Sequence, residues 1–393
     1  MTQKVLILGA GYAGMMTASR LERLSTEFTL INKNPYHYFT TLLHEVAGGR
    51  STPSNYSVPL TDVLDKPTTH ISIDEVTSIN RRERTVQLRS GQNEPYDFLV
   101  ITVGSVPEYF GIPGLAENSL VLNTLDSATR IHQHFEEQME AYTQDGDMRH
   151  LRIVVGGGGL TGIELLGELL DLIPELCARY GITEQKIDLQ TIEAASEILP
   201  QIPNRLRSKA VGLLTQKGAT LHVNTRITEV TAGCVHLGDN QMIEAGTIIW
   251  TGGVRANPLL TDAGFTADRR GRAKVNQFLQ SVDDHHVFVG GDSAWCDGEN
   301  GTPLPPTAQM ASQMGHVIAD NVVALISGNA MSTFRARSLG TLASLGREVG
   351  VGTVLGVPVH GVIGGLFKES SKLKYLWELG GIRLVEKKAN QVI

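Results

Sequence analysis

The stretch VVGGGGLTGIE (residues 154–164) reads as an apolar strand end, a glycine loop and the start of a helix. Gly157, Gly159 and Gly162 fit the spacing G-x-G-x-x-G. A similar stretch, VLILGAGYAGM (residues 5–15), places Gly9, Gly11 and Gly14 at the same spacing. Glycines there allow a tight turn and let the backbone approach a pyrophosphate, while the helix start offers unpaired N–H groups. One such match is weak. Two, each between a strand and a helix, imply two dinucleotide sites and an α/β fold with parallel sheets.

The residue at the end of the next strand reads the ribose. In the first unit that place holds Asn32 and Lys33, able to meet a hydroxyl and a phosphate. In the second unit Glu193 ends the strand IDLQTIE. A carboxylate there accepts from both ribose hydroxyls and repels a 2′-phosphate, and no Arg follows in EAASE (residues 193–197), so NADH is favoured over NADPH. Glu164 falls beside the second loop. Either it compensates the helix dipole, or its carboxylate stands at the nicotinamide.

Composition fits a globular chain, with 41% hydrophobic and 19% charged residues in 393. The net charge of −7 gives no support for nucleic-acid binding. Residues 331–393 nevertheless carry 9 Lys+Arg against 4 Asp+Glu, a basic tail of +5 on a body of −12. Cys177, Cys234 and Cys296 lie far apart and form neither a CxxC nor a metal-type cluster. The chain enters the strand KVLILGAG almost at once, so no signal peptide is expected, and no apolar run reaches spanning length.

The expected organisation is a first domain of residues 1–118 completed by 263–330, a second domain of 119–262, and a C-terminal region of 331–393. VFVGGD (residues 287–292) reads as another apolar strand, ending in Gly-Gly-Asp, and PPTAQMASQ (residues 305–313) reads as a helix start. On that helix Gln309 and Gln313 share a face, either exposed to solvent or turned to a substrate.

Two dinucleotide loops with VFVGGD and WTGGVR (residues 250–255) resemble the two-domain flavoprotein disulfide-reductase superfamily. The redox CxxxxC of its disulfide members is missing. The segments NKNPYHYFTTLLHEVAGG, GGGGLTGIELLGEL, IPELCARY, PPTAQMASQ and GTLASLG resemble the type II NADH:quinone oxidoreductases, over essentially the whole chain. The resemblance implies non-covalent FAD on the first loop and NADH as co-substrate on the second. FAD would be contacted by Gly9, Ala10, Gly11, Tyr12, Ala13, Gly14, Asn32, Lys33, Val76 (through backbone), Gly104, Asp292, Ala308 and Lys368. NADH would be held by Gly157, Gly159, Gly162 and Glu193. Gln309 and Gln313 would lie near a quinone, and Glu164 would be the acid between flavin, nicotinamide and quinone. A homodimer at the cytoplasmic face of the cell membrane, with no metal, completes the expectation.

GVIGGLFKESSKLKYLWEL (residues 361–379) supports the membrane reading. As a helix it groups Ile363, Leu366, Phe367, Leu373, Leu376 and Trp377 on one side, with Lys368, Glu369, Lys372 and Glu378 on or beside the other. The segment is expected to lie on an anionic leaflet, although an amphipathic helix closing a core has the same pattern. Two other functions use the same loops. One is a soluble NADH-dependent reductase of a small redox protein; the other is a non-catalytic FAD/NADH redox sensor.

Overall fold

A computed structural model describes residues 3–298 and 301–392, with side chains to residue 389. The apolar runs VLIL, FTLIN and FLVI form strands Val5–Leu8, Phe28–Asn32 and Phe98–Ile101 because each is covered on both faces. They join Val287–Val289 and Thr69–Ile73 in one parallel sheet, with Val5–Leu8 at its centre. The second parallel sheet repeats the plan. Arg152–Gly156 lies at its centre, flanked by Thr247–Trp250 and Asp188–Ile192, with Leu120–Val121 and Ala219–His222 at the edges.

The duplication extends further. Each half carries a three-stranded antiparallel sheet, Val76–Asn80 with Thr85–Leu88 and Asn93–Pro95 in one, Ile227–Thr231 with Cys234–Leu237 and Met242–Glu244 in the other. The glycine loops open onto helices Tyr12–Arg23 and Leu160–Tyr180. The second helix passes through Pro174 to Gly181, whose φ of 66° terminates it. The late helix Ala308–Ile326 starts as expected, with Thr307 accepting from Met310 N. It crosses the first helix at Gly315, where a Cβ would stand 2.4 Å from Ala13 O, so the two backbones touch.

The C-terminal region is an antiparallel sheet, Gly340–Ser344, Gly350–Val354 and Val357–His360, followed by helix Gly361–Val392 with a break at Gly381 (φ 68°). The turn after its first strand presses on helix Leu160–Tyr180 at Gly167, where a Cβ would meet Gly346 N at 2.5 Å. The helix reaches the other half of the molecule through Ser19 Oγ to Leu379 O and Lys387 to Asp62.

The sequence reading of this helix needs correction. Leu376 is 1% exposed and belongs to the core, while Lys372, expected on the wet side, is 6% exposed. The reason is electrostatic: buried acids of the body draw the cationic side inward. Val362, Ile363, Leu366, Phe367 and Trp377 are left facing outward.

Candidate active site

Both glycine loops pass the same steric test. In the first, Gly9 has φ +92° and a Cβ there would lie 2.6 Å from Thr102 O; a Cβ on Gly14 would lie 1.9 Å from Gly9 O and 2.6 Å from Thr102 Oγ1. In the second, a Cβ on Gly162 would lie 2.0 Å from Gly157 O and 2.6 Å from Thr251 Oγ1. Thr102 donates to Leu8 O and Gly9 O, and Thr251 donates to Gly156 O and Gly157 O. Each threonine therefore pins its loop flat. Gly11 and Gly159 are the N-caps, with no side-chain cap bond, so the first helical N–H groups remain for an anion. The two loops are backbone cradles of the shape a pyrophosphate needs.

Around the first cradle, Asn32 accepts from Ala10 N at 2.8 Å and donates to Asn34 O at 2.7 Å, so it braces the loop. Lys33 beside it is exposed, and Val76 begins the first strand of the antiparallel sheet of this half. Asp292 follows strand Val287–Val289 and accepts from Ser105 Oγ at 2.8 Å. Burial raises its pKa, with the Ser105 bond opposing. Gly104, at φ +70°, has open space where a Cβ would be, and Ala308 opens its helix behind Thr307. Around the second cradle, Glu193 accepts from Gly158 N at 2.6 Å and from Ala195 N at 2.7 Å. It lines a cleft with Gly157, Gly159, Glu197, Thr251 and Gly253.

One turn beyond the second cradle stands Glu164. Its Oε1 accepts from Lys368 Nζ at 2.5 Å and from Ser344 N at 3.0 Å. Its Oε2 faces His44 Nδ1 at 3.8 Å. The carboxylate is 7% exposed and ion-paired, so it is more than compensation of a helix end. Behind it lies a buried set of charges. Glu168, four residues on, pairs with Arg50; burial, against that pairing, pushes its pKa up to about 7. Glu45 meets Lys372 at 2.8 Å and Arg50 at 3.7 Å.

The pyridine nucleotide-disulphide oxidoreductase model matches residues 3–315. A type II NADH:quinone oxidoreductase of Staphylococcus epidermidis is 37% identical over 98% of both chains, and one of Staphylococcus aureus is 36% identical over the same shares. The chain belongs to the type II NADH:quinone oxidoreductase family. Among solved structures, NDH2 from Plasmodium falciparum in complex with NADH superposes with a TM-score of 0.88 at 18% identity, over 99% of this chain and 98% of that one. The sulfide:quinone oxidoreductase of Aquifex aeolicus reaches 0.78 at 21% identity, over 98% and 92%. Both share the fold.

Within this family member, Gln309 and Gln313 do not form a free polar face. Gln309 accepts from Leu339 N, and Gln313 both accepts from Arg337 N and donates to Arg337 O. The two side chains clamp the backbone leading into the C-terminal sheet. Lys368, expected beside a flavin, makes its contact with Glu164. Cys177, Cys234 and Cys296 are all free thiols, and no His/Cys/Asp/Glu group able to hold a metal occurs among the described residues.

Sequence reasoning missed Thr102, Thr251, His44 and Glu45. The threonines carried a signal: each stands at the end of an apolar strand in a T-x-G triplet, TVG at residues 102–104 and TGG at 251–253. His44 and Glu45 sit on a helix of only five residues, Leu43–Ala47, inside a stretch without periodicity.

Proposed function

We propose that the chain is a FAD-dependent NADH:quinone oxidoreductase, peripheral to the cytoplasmic face of a membrane, that transfers two electrons without pumping protons. The observation that carries this reading is the matched pair of cradles, each with its own pinning threonine, with the Glu164–Lys368 pair one turn beyond the second. One cradle holds a cofactor that stays, and the other receives a nucleotide that visits. FAD held there would supply two-electron redox chemistry between NADH and a quinone.

The chain's own residues bind, select and supply protons. Gly9 to Gly14 with Asn32, Lys33, Val76, Gly104, Asp292, Ala308 and Lys368 would hold FAD. Gly157, Gly159, Gly162 and Glu193 hold NADH, and the fixed Glu193 carboxylate disfavours a 2′-phosphate. Gln309 and Gln313 fix the backbone at the quinone approach. Oε2 is the atom through which Glu164 exchanges a proton, since Oε1 is committed to Lys368 and Ser344.

Membrane attachment rests on outward-facing side chains. Leu355, Val357, Val362, Ile363, Leu366 and Phe367 lie within thirteen consecutive residues and are each at least 41% exposed. No helix among the described residues is long and apolar enough to cross a membrane, which suits an interfacial contact. A steady-state assay with NADH, NADPH and a short-chain quinone tests the function. Turnover with NADH well above NADPH is expected; absence of quinone-dependent NADH oxidation by flavin-loaded protein overturns it.

A further inference from the structure

Reduction of a quinone by NADH follows NADH + H⁺ + quinone → NAD⁺ + quinol. The nucleotide brings two electrons and one proton, so the second proton must come from water. If Glu164 gives up that proton, as proposed above, it must regain one before the next cycle. The side chain is 9% exposed, and its neighbours decide the route.

Those neighbours form a buried row that opens to solvent at its far end. Glu369 has 25% of its side chain exposed and meets Lys372 Nζ at 2.8 Å. Lys372, at 4%, meets Glu45 Oε1 at 2.8 Å, and Glu45 is at 2%. His44, at 3%, stands between the two ends: its Nε2 is 3.9 Å from Glu45 Oε1 and its Nδ1 is 3.8 Å from Glu164 Oε2. His44 Nε2 is buried without a hydrogen-bond partner, a costly state for a polar atom. A Cβ on Gly48 would lie 2.8 Å from Glu168 Cβ, so the loop after His44 presses directly on the helix that carries Glu164.

We propose that His44 relays the proton that restores Glu164, linking that acid to Glu45 and, through Lys372, to Glu369 at the surface. The steps balance. Glu164 Oε2–H gives its proton to a quinone oxygen. His44 Nδ1–H then passes a proton to Glu164 Oε2 while Nε2 takes the one that Lys372 has delivered to Glu45, and a flip of the neutral ring returns its N–H to the Glu164 side before the next cycle. Lys372 gives one proton to Glu45 and regains one from Glu369, which is reprotonated by water, so no charge accumulates on the imidazole or the ammonium. Both gaps at His44 exceed hydrogen-bond length and close by about 1 Å through rotation of the ring and the carboxylates. The inference rests on Glu164 being the proton donor. His44 acts through it and touches no substrate.

The charges facing His44 make a passing proton preferable to a resident one. Glu45 and Glu164 attract a proton, while Lys368, Arg50 and Lys372 oppose it. Burial is the largest influence and keeps the imidazole neutral, with its pKa down to about 3. Glu168 is tied to Arg50, and Tyr56 packs on Glu45, so neither competes for His44.

The test separates the two half-reactions by anaerobic stopped flow in His44→Gln, Glu45→Gln and Glu164→Gln. The relay requires bleaching of the flavin by NADH to stay at wild-type rate in His44→Gln. Re-oxidation by quinone should slow on the order of 10- to 100-fold, the scale of a lost acid–base partner, with a larger solvent deuterium isotope effect and a rate that falls as pH rises. A pH jump followed by infrared spectroscopy reads the same step without turnover. The Glu164 carboxyl band, recognised by its loss in Glu164→Gln, should re-form more slowly in His44→Gln. Should His44→Gln fail to hold flavin, Glu45→Gln carries the test, since it leaves the ring in place and breaks the same row. Wild-type re-oxidation in both variants, with Glu164→Gln impaired, overturns the relay and leaves Glu164 as donor. Wild-type re-oxidation in Glu164→Gln overturns the donor itself.

Discussion

Tyr375, on the C-terminal helix, lies 2.9 Å from His37 Nε2, and His37 Nδ1 lies 2.8 Å from Ala10 O in the first glycine loop. The ring is 1% exposed and burial keeps it neutral, so Nδ1–H donates to the carbonyl and Nε2 accepts from the phenol. Tyr12, whose ring centroid is 4.6 Å from that of Tyr375, closes the cluster. The C-terminal helix and the first glycine loop are thereby joined by two hydrogen bonds.

Removing one of those bonds should loosen the cofactor. Tyr375→Phe leaves His37 Nε2 buried and unpaired, a loss of about 1–3 kcal/mol. The expected result is FAD binding weaker by roughly 5- to 100-fold, measured by flavin fluorescence during dialysis, with little change in the NADH site. Unchanged retention would mean that the helix and the cradle are independent.

Acid should destabilise the protein earlier than its carboxylates alone require. Burial, partly offset by the bond to Ala10, pushes the His37 pKa down to about 4, against about 6.5 in an unfolded chain. The unfolded state binds the proton first, so this stability is full above pH 6.5 and is lost as pH falls toward 4. It amounts to on the order of 3 kcal/mol. His44 acts with the same sign. Glu168, raised to about 7, acts with the opposite one: its contribution is present below about pH 4.5 and lost as pH rises through 7. The denaturation midpoint of wild type should drop below pH 6.5, and His37→Gln should show a shallower acid limb. Identical limbs would contradict the assignment.

The two cradles should fail separately. Gly14→Ala places a methyl against Gly9 O and Thr102 Oγ1, and should give colourless protein. Gly162→Ala does the same against Gly157 O and Thr251 Oγ1, and should give yellow protein that NADH does not bleach. Absorbance at the flavin bands before and after NADH reads both. Bleaching of Gly162→Ala at wild-type rate would remove NADH from the second cradle.

The outward apolar side should hold the membrane. Leu366 and Phe367 are 65% and 41% exposed, so Leu366→Ser/Phe367→Ser removes apolar area without opening the core. The variant should keep flavin and its activity with a water-soluble quinone, yet stay behind when wild type floats with anionic liposomes. Equal flotation of both would place the contact elsewhere.

Both parallel sheets, the two loops and the start of the late helix were legible because apolar strands and glycine spacing are local signals. The orientation of the C-terminal helix was not. Periodicity shows which residues share a side, not which side faces the protein, and here Lys368 and Lys372 turn inward toward Glu164 and Glu45. The partners that fix that choice lie more than 200 residues away in sequence. For the same reason Glu164 could be named beforehand while its lysine contact and its histidine neighbour could not. The roles of Gln309 and Gln313 as a backbone clamp depended on where residues 337–339 pass, which no local pattern encodes.

The most direct test of the central claim is an anaerobic absorption spectrum of the purified protein, followed through addition of NADH and then of a quinone. The expected result is an oxidised flavin spectrum that bleaches on NADH and returns in full on one equivalent of quinone. A flavin that NADH leaves oxidised, or that stays bleached with quinone present, would contradict it.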